Sequence, residues 1–86
     1  MAKYKEYGYD IEDGVGIISE RTIEIKESAF WCCENLTSII IHSSVTKIWK
    51  CAFLGCTSLT EVRIPKGCRV DKDAFYNCPN VQIIRY

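Results

Sequence analysis

The residues best able to do chemistry in this chain are its cysteines and its one histidine, His42. Thiols can bind zinc, form disulfides or act as nucleophiles, so each of the six cysteines is a candidate: Cys32, Cys33, Cys51, Cys56, Cys68 and Cys78. A structural zinc site requires four ligands that converge on one point. No two cysteines are separated by two residues, the spacing of a zinc knuckle. A cysteine-based metal (zinc) or redox protein is therefore an alternative function only.

Three of these cysteines belong to a repeated pattern. Phe30, Phe53 and Phe75 are 23 and then 22 residues apart, and three cysteines and three aliphatic residues follow the same steps. These further anchors are Cys33, Cys56 and Cys78, and Leu36, Leu59 and Val81. Repeats of this length indicate a solenoid, in which stacked units align equivalent side chains in columns. The three repeated cysteines are therefore predicted to be buried packing residues with unreactive thiols, although a disulfide between neighbouring units is geometrically possible. No cofactor or metal is expected.

No arrangement in the sequence predicts an enzyme. His42 follows a predicted strand and is adjacent to Ser43 and Ser44, but adjacency in sequence does not make a catalytic triad. It is predicted to be an exposed turn residue. Gly14 and Gly16 lack the third glycine and the helix of a dinucleotide-binding loop. No catalytic residue is therefore assigned.

Each repeat is predicted to contain a strand, a turn, a second short extended piece and one helical turn. Apolar alternation marks the strands, as in Val62 and Ile64, and short helical turns are expected at residues 28–32 and 73–77, where Ser28 or an aspartate opens them. The predicted fold is an α/β solenoid, a short right-handed coil of about three repeats of 22–23 residues, with parallel strands on one face. Residues 1–24 form an N-terminal cap and a degenerate repeat, followed by repeats at 25–47, 48–69 and 70–86.

Composition and charge limit the partners. The chain has 86 residues, 48% of them hydrophobic, and its 11 basic residues balance 11 acidic ones. The apolar residues are numerous enough for the core of one globular domain. The chain lacks the excess of basic residues that would attract it to nucleic acid or to an anionic membrane. No apolar run predicts membrane insertion, and no apolar leader is visible at the N-terminus, so a cytoplasmic location is expected. If the chain is a fragment of a longer protein, the location is instead the cell surface or secreted.

The repeat resembles the BspA-like leucine-rich repeats, also called the Treponema pallidum type. The resemblance runs from about Ile18 to Tyr86 and rests on the pattern A-F-x-x-C-x-x-L-x-x-I-x-I. The residues that carry it are Ile25, Ala29, Phe30, Cys33, Leu36, Ile39, Ile41, Ile48, Ala52, Phe53, Cys56, Leu59, Val62, Ile64, Pro65, Val70, Ala74, Phe75, Cys78, Val81 and Ile84. The resemblance implies a leucine-rich-repeat solenoid, and many such proteins are surface-displayed adhesins that bind host proteins. Trp49 stands where the family usually has glycine.

The outward positions of the strands are the predicted interaction face: Val15, Ile17, Ser38, Ile40, Glu61, Arg63, Ile83 and Arg85. One column of this face runs from apolar Ile17 to basic Arg85. Exposed isoleucines suggest a partner-binding surface, because a solvated sheet face is normally polar. The alternative is that the N-terminal segment, with Tyr4, Tyr7 and Tyr9, folds over this end.

The C-terminal end is the second candidate site. The last predicted strand ends at Tyr86 with no cap after it, so two chains are expected to join through this edge as a homo-oligomer, most simply a dimer. The residues assigned to this contact are Gln82, Ile84 and Tyr86. The predicted function is a non-catalytic protein–protein interaction module that self-associates through its solenoid ends and whose protein partner is unknown. A fragment of an adhesin-like surface protein is the alternative.

Overall fold

Eight strands form two sheets in the structure, a computed structural model that describes residues 9–86. The five-stranded sheet has the order β1-β2-β4-β6-β8 and the three-stranded sheet the order β3-β5-β7. The strands are β1 (Tyr9–Glu12), β2 (Val15–Ile18), β3 (Glu24–Ile25), β4 (Ser38–Ile40), β5 (Lys47–Ile48), β6 (Glu61–Ile64), β7 (Arg69–Val70) and β8 (Gln82–Arg85). From β2 onwards the chain alternates between the two sheets and pairs in parallel. The fold is therefore a β-solenoid of about three turns.

The repeated aliphatic residues of the strands form the core. Ile39 pairs with Val62 in the large sheet and Ile25 with Ile48 in the small sheet, and all four are at most 1% exposed. Full burial of one such side chain contributes about 1.5–3 kcal/mol relative to leaving it in water. Because one coil is too small to cover its own apolar side chains, stacking on the neighbouring coils completes this burial.

A column of aromatic rings runs through the turns between the sheets. Tyr9 stacks on Phe30 with ring centroids 5.1 Å apart, Phe30 on Phe53 at 5.0 Å, and Phe53 on Phe75 at 4.9 Å. These steps match the separation of about 4.8 Å between neighbouring strands. Tyr9 continues the column where the first unit has no repeat phenylalanine, and its hydroxyl donates to the carbonyl of Glu24 at 2.9 Å.

The predicted helical turns are wrong. The described residues contain no helix, and accordingly none that is long and apolar enough to cross a membrane. Ser28, expected to cap a helical turn, has a φ of 60°, and Cys32 has a φ of 54°, so both residues lie in the left-handed region. The N–H groups of Phe30 and Cys32 instead donate to the carbonyls of Ala52 and Leu54 in the next coil, both at 2.7 Å. The N–H of Trp31 donates within the turn to the carbonyl of Ser28 at 3.2 Å, so local bonds and bonds between coils alternate and no helix forms. The α/β class is therefore corrected to β.

The degenerate first unit is an antiparallel hairpin. β1 pairs with β2 through a turn at Asp13 and Gly14, where φ is 53° and 82°. Gly16 pairs with Ile39, and a Cβ at Gly16 would lie 2.5 Å from the Ile39 Cδ1 atom. The glycine therefore provides the space that the isoleucine of the next coil occupies.

The last strand pairs one residue away from the register that the repeat predicts. The alignment places Ile84 beside Val62, whereas the structure pairs Val62 with Ile83 and Ile64 with Arg85. A slip of one residue exchanges the two faces of a strand. Such a slip costs little in an outer strand of the described sheet, because its side chains pack on one neighbouring strand instead of two.

Candidate interaction surface

The outward side chains of the five-stranded sheet form two rows across its strands. Paired residues of adjacent strands point to the same side, so the register assigns each side chain to a face. We call this side the outer face. Its first row is Asp10, Ile17, Ile40, Arg63 and Ile84, and its second row is Glu12, Val15, Ser38, Glu61 and Gln82.

Three adjacent aliphatic side chains in these rows are open to solvent. Val15 and Ile17 on β2 are each 44% exposed, and Ile40 on β4 is 60% exposed. We call these three residues the aliphatic patch. β1 lies at the edge of the sheet and does not cover the patch, because it pairs with β2 side by side. Tyr9 is buried in the core and not over the patch, while Tyr4 and Tyr7 fall outside the described residues.

β1 adds two carboxylates to the face that the sequence reasoning did not include. Asp10 pairs with Ile17 and Glu12 with Val15, so both acids lie directly beside the aliphatic patch. One oxygen of Asp10 accepts the N–H of Ile11 at 2.8 Å. The alternation of apolar Tyr9 and Ile11 with these acids is the signal that would have predicted a strand with an acidic outer side.

On the opposite side of the patch, β6 carries an ion pair. Arg63 Nε lies 2.8 Å from Glu61 Oε2, and both side chains are exposed by more than two-fifths. The two opposite charges largely cancel at a distance. The surface beyond the patch is therefore close to neutral, unlike the acidic edge formed by β1.

Arg85, predicted to be the basic end of this face, lies elsewhere. It pairs with Ile64, whose side chain points inward, and its Nη1 atom donates to the carbonyls of Pro65 at 2.9 Å and Cys68 at 2.8 Å. The predicted gradient from apolar to basic therefore does not form. The outer face changes instead from acidic at β1, through the aliphatic patch, to the β6 ion pair.

The residues assigned to the self-association end are divided between two surroundings. Gln82 and Ile84 lie in the rows of the outer face, beside Glu61 and Arg63. The Tyr86 hydroxyl donates to the carbonyl of Ile41 at 2.5 Å, so this side chain reaches back to the residue that follows β4 instead of extending away from the sheet. Ile83 and Tyr86 remain 45% exposed.

Trp49, at the position where the family pattern has glycine, connects the strands of the small sheet. Its Nε1 atom donates to Glu24 Oε1 at 2.7 Å. The Lys47 ammonium lies 3.7 Å from the ring centroid and 3.7 Å from Asp71 Oδ1. This cation–π contact and its flanking carboxylates join all three strands, so the tryptophan has a structural role here.

Of the repeated cysteines, Cys56 and Cys78 are buried as predicted and form hydrogen bonds between coils, whereas Cys33 is only partly buried. The Cys56 thiol donates to the carbonyl of Phe30 at 3.0 Å, and the Cys78 thiol donates to that of Phe53 at 2.9 Å. Burial raises the pKa of Cys56 to about 12 and also raises the pKa of Cys78. Thiolates, the form that attacks electrophiles and binds metals, are therefore disfavoured here. All six cysteines are free thiols.

The remaining chemical candidates form no site. Within residues 9–86, no group of three or more His, Cys, Asp and Glu side chains is placed to hold a metal ion. His42 is half-buried rather than fully exposed, and its Nδ1 atom accepts the N–H of Ser44 at 3.2 Å. The Ser44 hydroxyl donates to the carbonyl of Thr22 at 2.7 Å. These contacts connect the turn to the preceding coil. The Ser44 hydroxyl proton is donated to a backbone carbonyl and not to His42.

Comparison with known proteins agrees with the repeat. A family model described as a BspA-type leucine-rich repeat region (6 copies) matches residues 16–86. Neither the curated proteins nor the solved structures give a significant match. The match begins within β2 and includes every parallel strand of both sheets.

Proposed function

The chain belongs to the BspA-type leucine-rich repeat family, and from that premise we propose that it is a non-catalytic protein-interaction module that binds its partner through the outer face. The observation that carries the proposal is the aliphatic patch, whose three side chains are between 44% and 60% exposed and lie side by side. A solvated sheet face is normally polar at such positions, and contiguous exposed apolar surface is typical of binding sites.

The size of the patch limits what it can contribute. Covering three half-exposed aliphatic side chains supplies about 3 kcal/mol in total, since full burial of one is worth about 1.5–3 kcal/mol. A micromolar complex requires about 8 kcal/mol. The patch is therefore proposed as the apolar centre of an interface, with the charged and polar residues around it as the rim.

The chemistry of the other candidates supports a non-catalytic role. The most buried repeat thiol, that of Cys56, has its pKa raised to about 12, and the His42 ring supports a turn. The family match is to a repeat region, a class of structure that offers extended surfaces for binding.

A selection experiment tests the binding function. A displayed library of random peptides is selected on the wild-type chain, and the recovered clones are tested on Ile40→Glu and on Ile23→Glu. Ile23 is the matched control, because it is 56% exposed but precedes β3 of the small sheet. We expect recovered clones to bind Ile23→Glu like the wild type and to lose binding to Ile40→Glu. Clones that bind both variants equally would contradict the use of the outer face.

Self-association through β8 is a second proposal. The observation in its favour is that Ile83 and Tyr86, on or next to an outer strand of the described sheet, are each 45% exposed. Light scattering on the 86-residue chain at micromolar concentration tests it, and we expect a mass of twice 9.9 kDa. A mass that stays at the monomer value up to the highest soluble concentration would disprove this proposal.

A further inference from the structure

We infer that the partner of the outer face is a protein segment that presents lysine or arginine next to aliphatic side chains. This inference rests on the proposed function and adds the chemical character of the partner. It follows from the order of side chains across the sheet. The carboxylates of Asp10 and Glu12 lie beside the aliphatic patch on one side, while Glu61 on the other side is paired with Arg63.

The charge of the face is asymmetric. Asp10 and Glu12 lie in register with the two patch residues of β2, and no basic residue of β1, β2 or β4 is on this face. The one outward basic side chain in the described rows is Arg63, which is already paired with Glu61 at 2.8 Å. The guanidinium of Arg85 bonds to loop carbonyls instead. Within residues 9–86, no outward basic side chain neutralises the acidic edge of the face, and a basic partner complements it.

A second copy of the chain fits this face poorly. Two copies could pair face to face about a two-fold axis that runs along the strands, between β2 and β4. The two aliphatic patches then contact each other, and Asp10 of one copy lies opposite Arg63 of the other. Glu12 of one copy lies opposite Glu61 of the other, so each guanidinium is surrounded by three carboxylates. With the axis across the strands, Asp10 lies opposite Glu12, and Arg63 lies opposite Glu61. In either arrangement the paired faces bring six carboxylates together with two guanidinium groups, an excess of negative charge that disfavours the pairing.

The small sheet carries charges of both signs. Lys47 of β5 pairs with Glu24 on one side and Arg69 on the other, and its ammonium lies 3.7 Å from Asp71 Oδ1. The chain as a whole has no net charge, so the acidic edge of the outer face is a local property that composition does not reveal. A basic partner is consequently attracted to the patch side of the molecule.

The test uses defined peptides from the selection described above. Each recovered peptide that depends on Ile40 is synthesised as found and with its Lys and Arg residues replaced by Gln. Affinities are measured by titration calorimetry for the wild type, Glu12→Lys and the control Glu27→Lys, whose exposed side chain lies in the turn after β3. Circular dichroism and thermal unfolding of each variant confirm that it is folded.

We expect basic residues to be enriched among these peptides. Each Lys→Gln or Arg→Gln replacement, and Glu12→Lys in the protein, should weaken binding about twofold to fivefold, the range for exposed charge pairs. Higher salt should weaken binding as well, whereas Glu27→Lys should bind like the wild type.

The other outcomes are distinguishable. Ile40-dependent peptides without basic residues, or with unchanged affinity for Glu12→Lys, would overturn this inference and leave the proposed function intact. A wild-type dimer that Ile40→Glu converts to a monomer would identify a second copy as the occupant and also overturn it. If no recovered peptide distinguishes Ile40→Glu from Ile23→Glu, the proposed function fails together with the inference.

Discussion

Two arginines that the repeat treats as equivalent differ in their surroundings, and substitution of each by methionine should show this. Arg63 and Arg85 occupy the same position in the repeat alignment. In the structure Arg63 lies on the outer face, while Arg85 closes the loop that precedes β7 by donating to the backbone carbonyls of Pro65 and Cys68 and, at 3.5 Å, to that of Lys66. Methionine keeps the apolar stem and removes the guanidinium, so Arg85→Met and Arg63→Met isolate the polar contacts.

The magnitudes follow from these contacts. Hydrogen bonds from a charged donor are worth about 1.5–3 kcal/mol when shielded, but water replaces part of this at an exposed end. The Arg85 donor bonds are 2.9 Å and 2.8 Å long, so Arg85→Met should cost about 1–2 kcal/mol. The Arg63 ion pair is exposed, so Arg63→Met should cost about 0–0.5 kcal/mol. In a domain of this size each kcal/mol lowers Tm by about 4–8 °C.

Thermal unfolding by circular dichroism, in low and high salt, measures both variants beside the wild type. Added salt should remove the small effect of Arg63→Met and leave most of the effect of Arg85→Met, because carbonyl contacts are less screened than exposed charge pairs. If Arg63→Met lowers Tm as much as Arg85→Met does, Arg85 does not close this end of the solenoid and the shifted register of β8 is refuted.

Three further predictions concern the register, the aromatic column and the thiols. A disulfide between cysteines introduced at Glu61 and Gln82 should form on mild oxidation, because neighbouring parallel strands are about 4.8 Å apart, while the pair Glu61 and Ile83 should not; peptide mapping reads the cross-link. Phe53→Leu should lower the free energy of unfolding by about 1–3 kcal/mol in denaturant titration, since its ring stacks on both neighbours. Cys56, with a pKa raised to about 12, should resist alkylation at pH 8 in the native chain and react fully in denaturant, as mass spectrometry can follow.

The parallel strands were predictable because their burial follows the repeat. Leu36, Ile39 and Ile41 and their equivalents in the next unit are all buried, as the period required. Each coil needs the next to cover its apolar side, so a pattern of this period has few alternative folds. The aromatic and cysteine columns follow from the same argument.

The turns were not predictable from the same pattern. The segment from Ser28 to Cys32 has the residues of a helical turn, but two of its residues adopt positive φ, and the N–H groups of Phe30 and Cys32 bond to the adjacent coil. Local propensity describes what one segment does alone. In a stack, the carbonyls of the next coil are available at every turn, and these contacts between coils determine the geometry.

The acidic side of the outer face was not predicted from the sequence, for a different reason. Asp10 and Glu12 belong to β1, which precedes the repeat and pairs antiparallel with β2, so no alignment of units includes them. The alternation of Tyr9 and Ile11 with these acids was visible in the sequence. It acquires meaning only when the strand has a partner, because alternation does not say which sheet it joins or which residues it lies beside.

The register of β8 shows why a repeat predicts inner strands better than outer ones. The first bond of this pairing joins the Gln82 N–H to the Thr60 carbonyl at 3.0 Å, and the equivalent bond one coil earlier joins Thr60 to Thr37 at 2.9 Å. Up to this point the repeat and the structure agree. Beyond it, Val62 of β6 pairs with Ile39 of β4, 23 residues earlier, as the repeat predicts. Val62 pairs on its other side with Ile83 of β8, 21 residues later, where the repeat predicts a separation of 22.

An inner strand must satisfy hydrogen bonds and side-chain packing on both sides, so only one register remains. Among the described residues, β8 has one neighbouring strand, β6, and therefore meets these requirements on one side only. The register that is favoured for β8 is the one that brings Arg85 to the loop carbonyls. The repeat predicts the register from sequence spacing alone, whereas hydrogen bonds determine the register of the outer strand. The register of β8 decides which of its side chains lies on the outer face. Because this residue is Ile84 and not Arg85, the face lacks the basic end that the alignment predicts. The acidic edge at β1 then determines the character of the face, and a basic partner complements it.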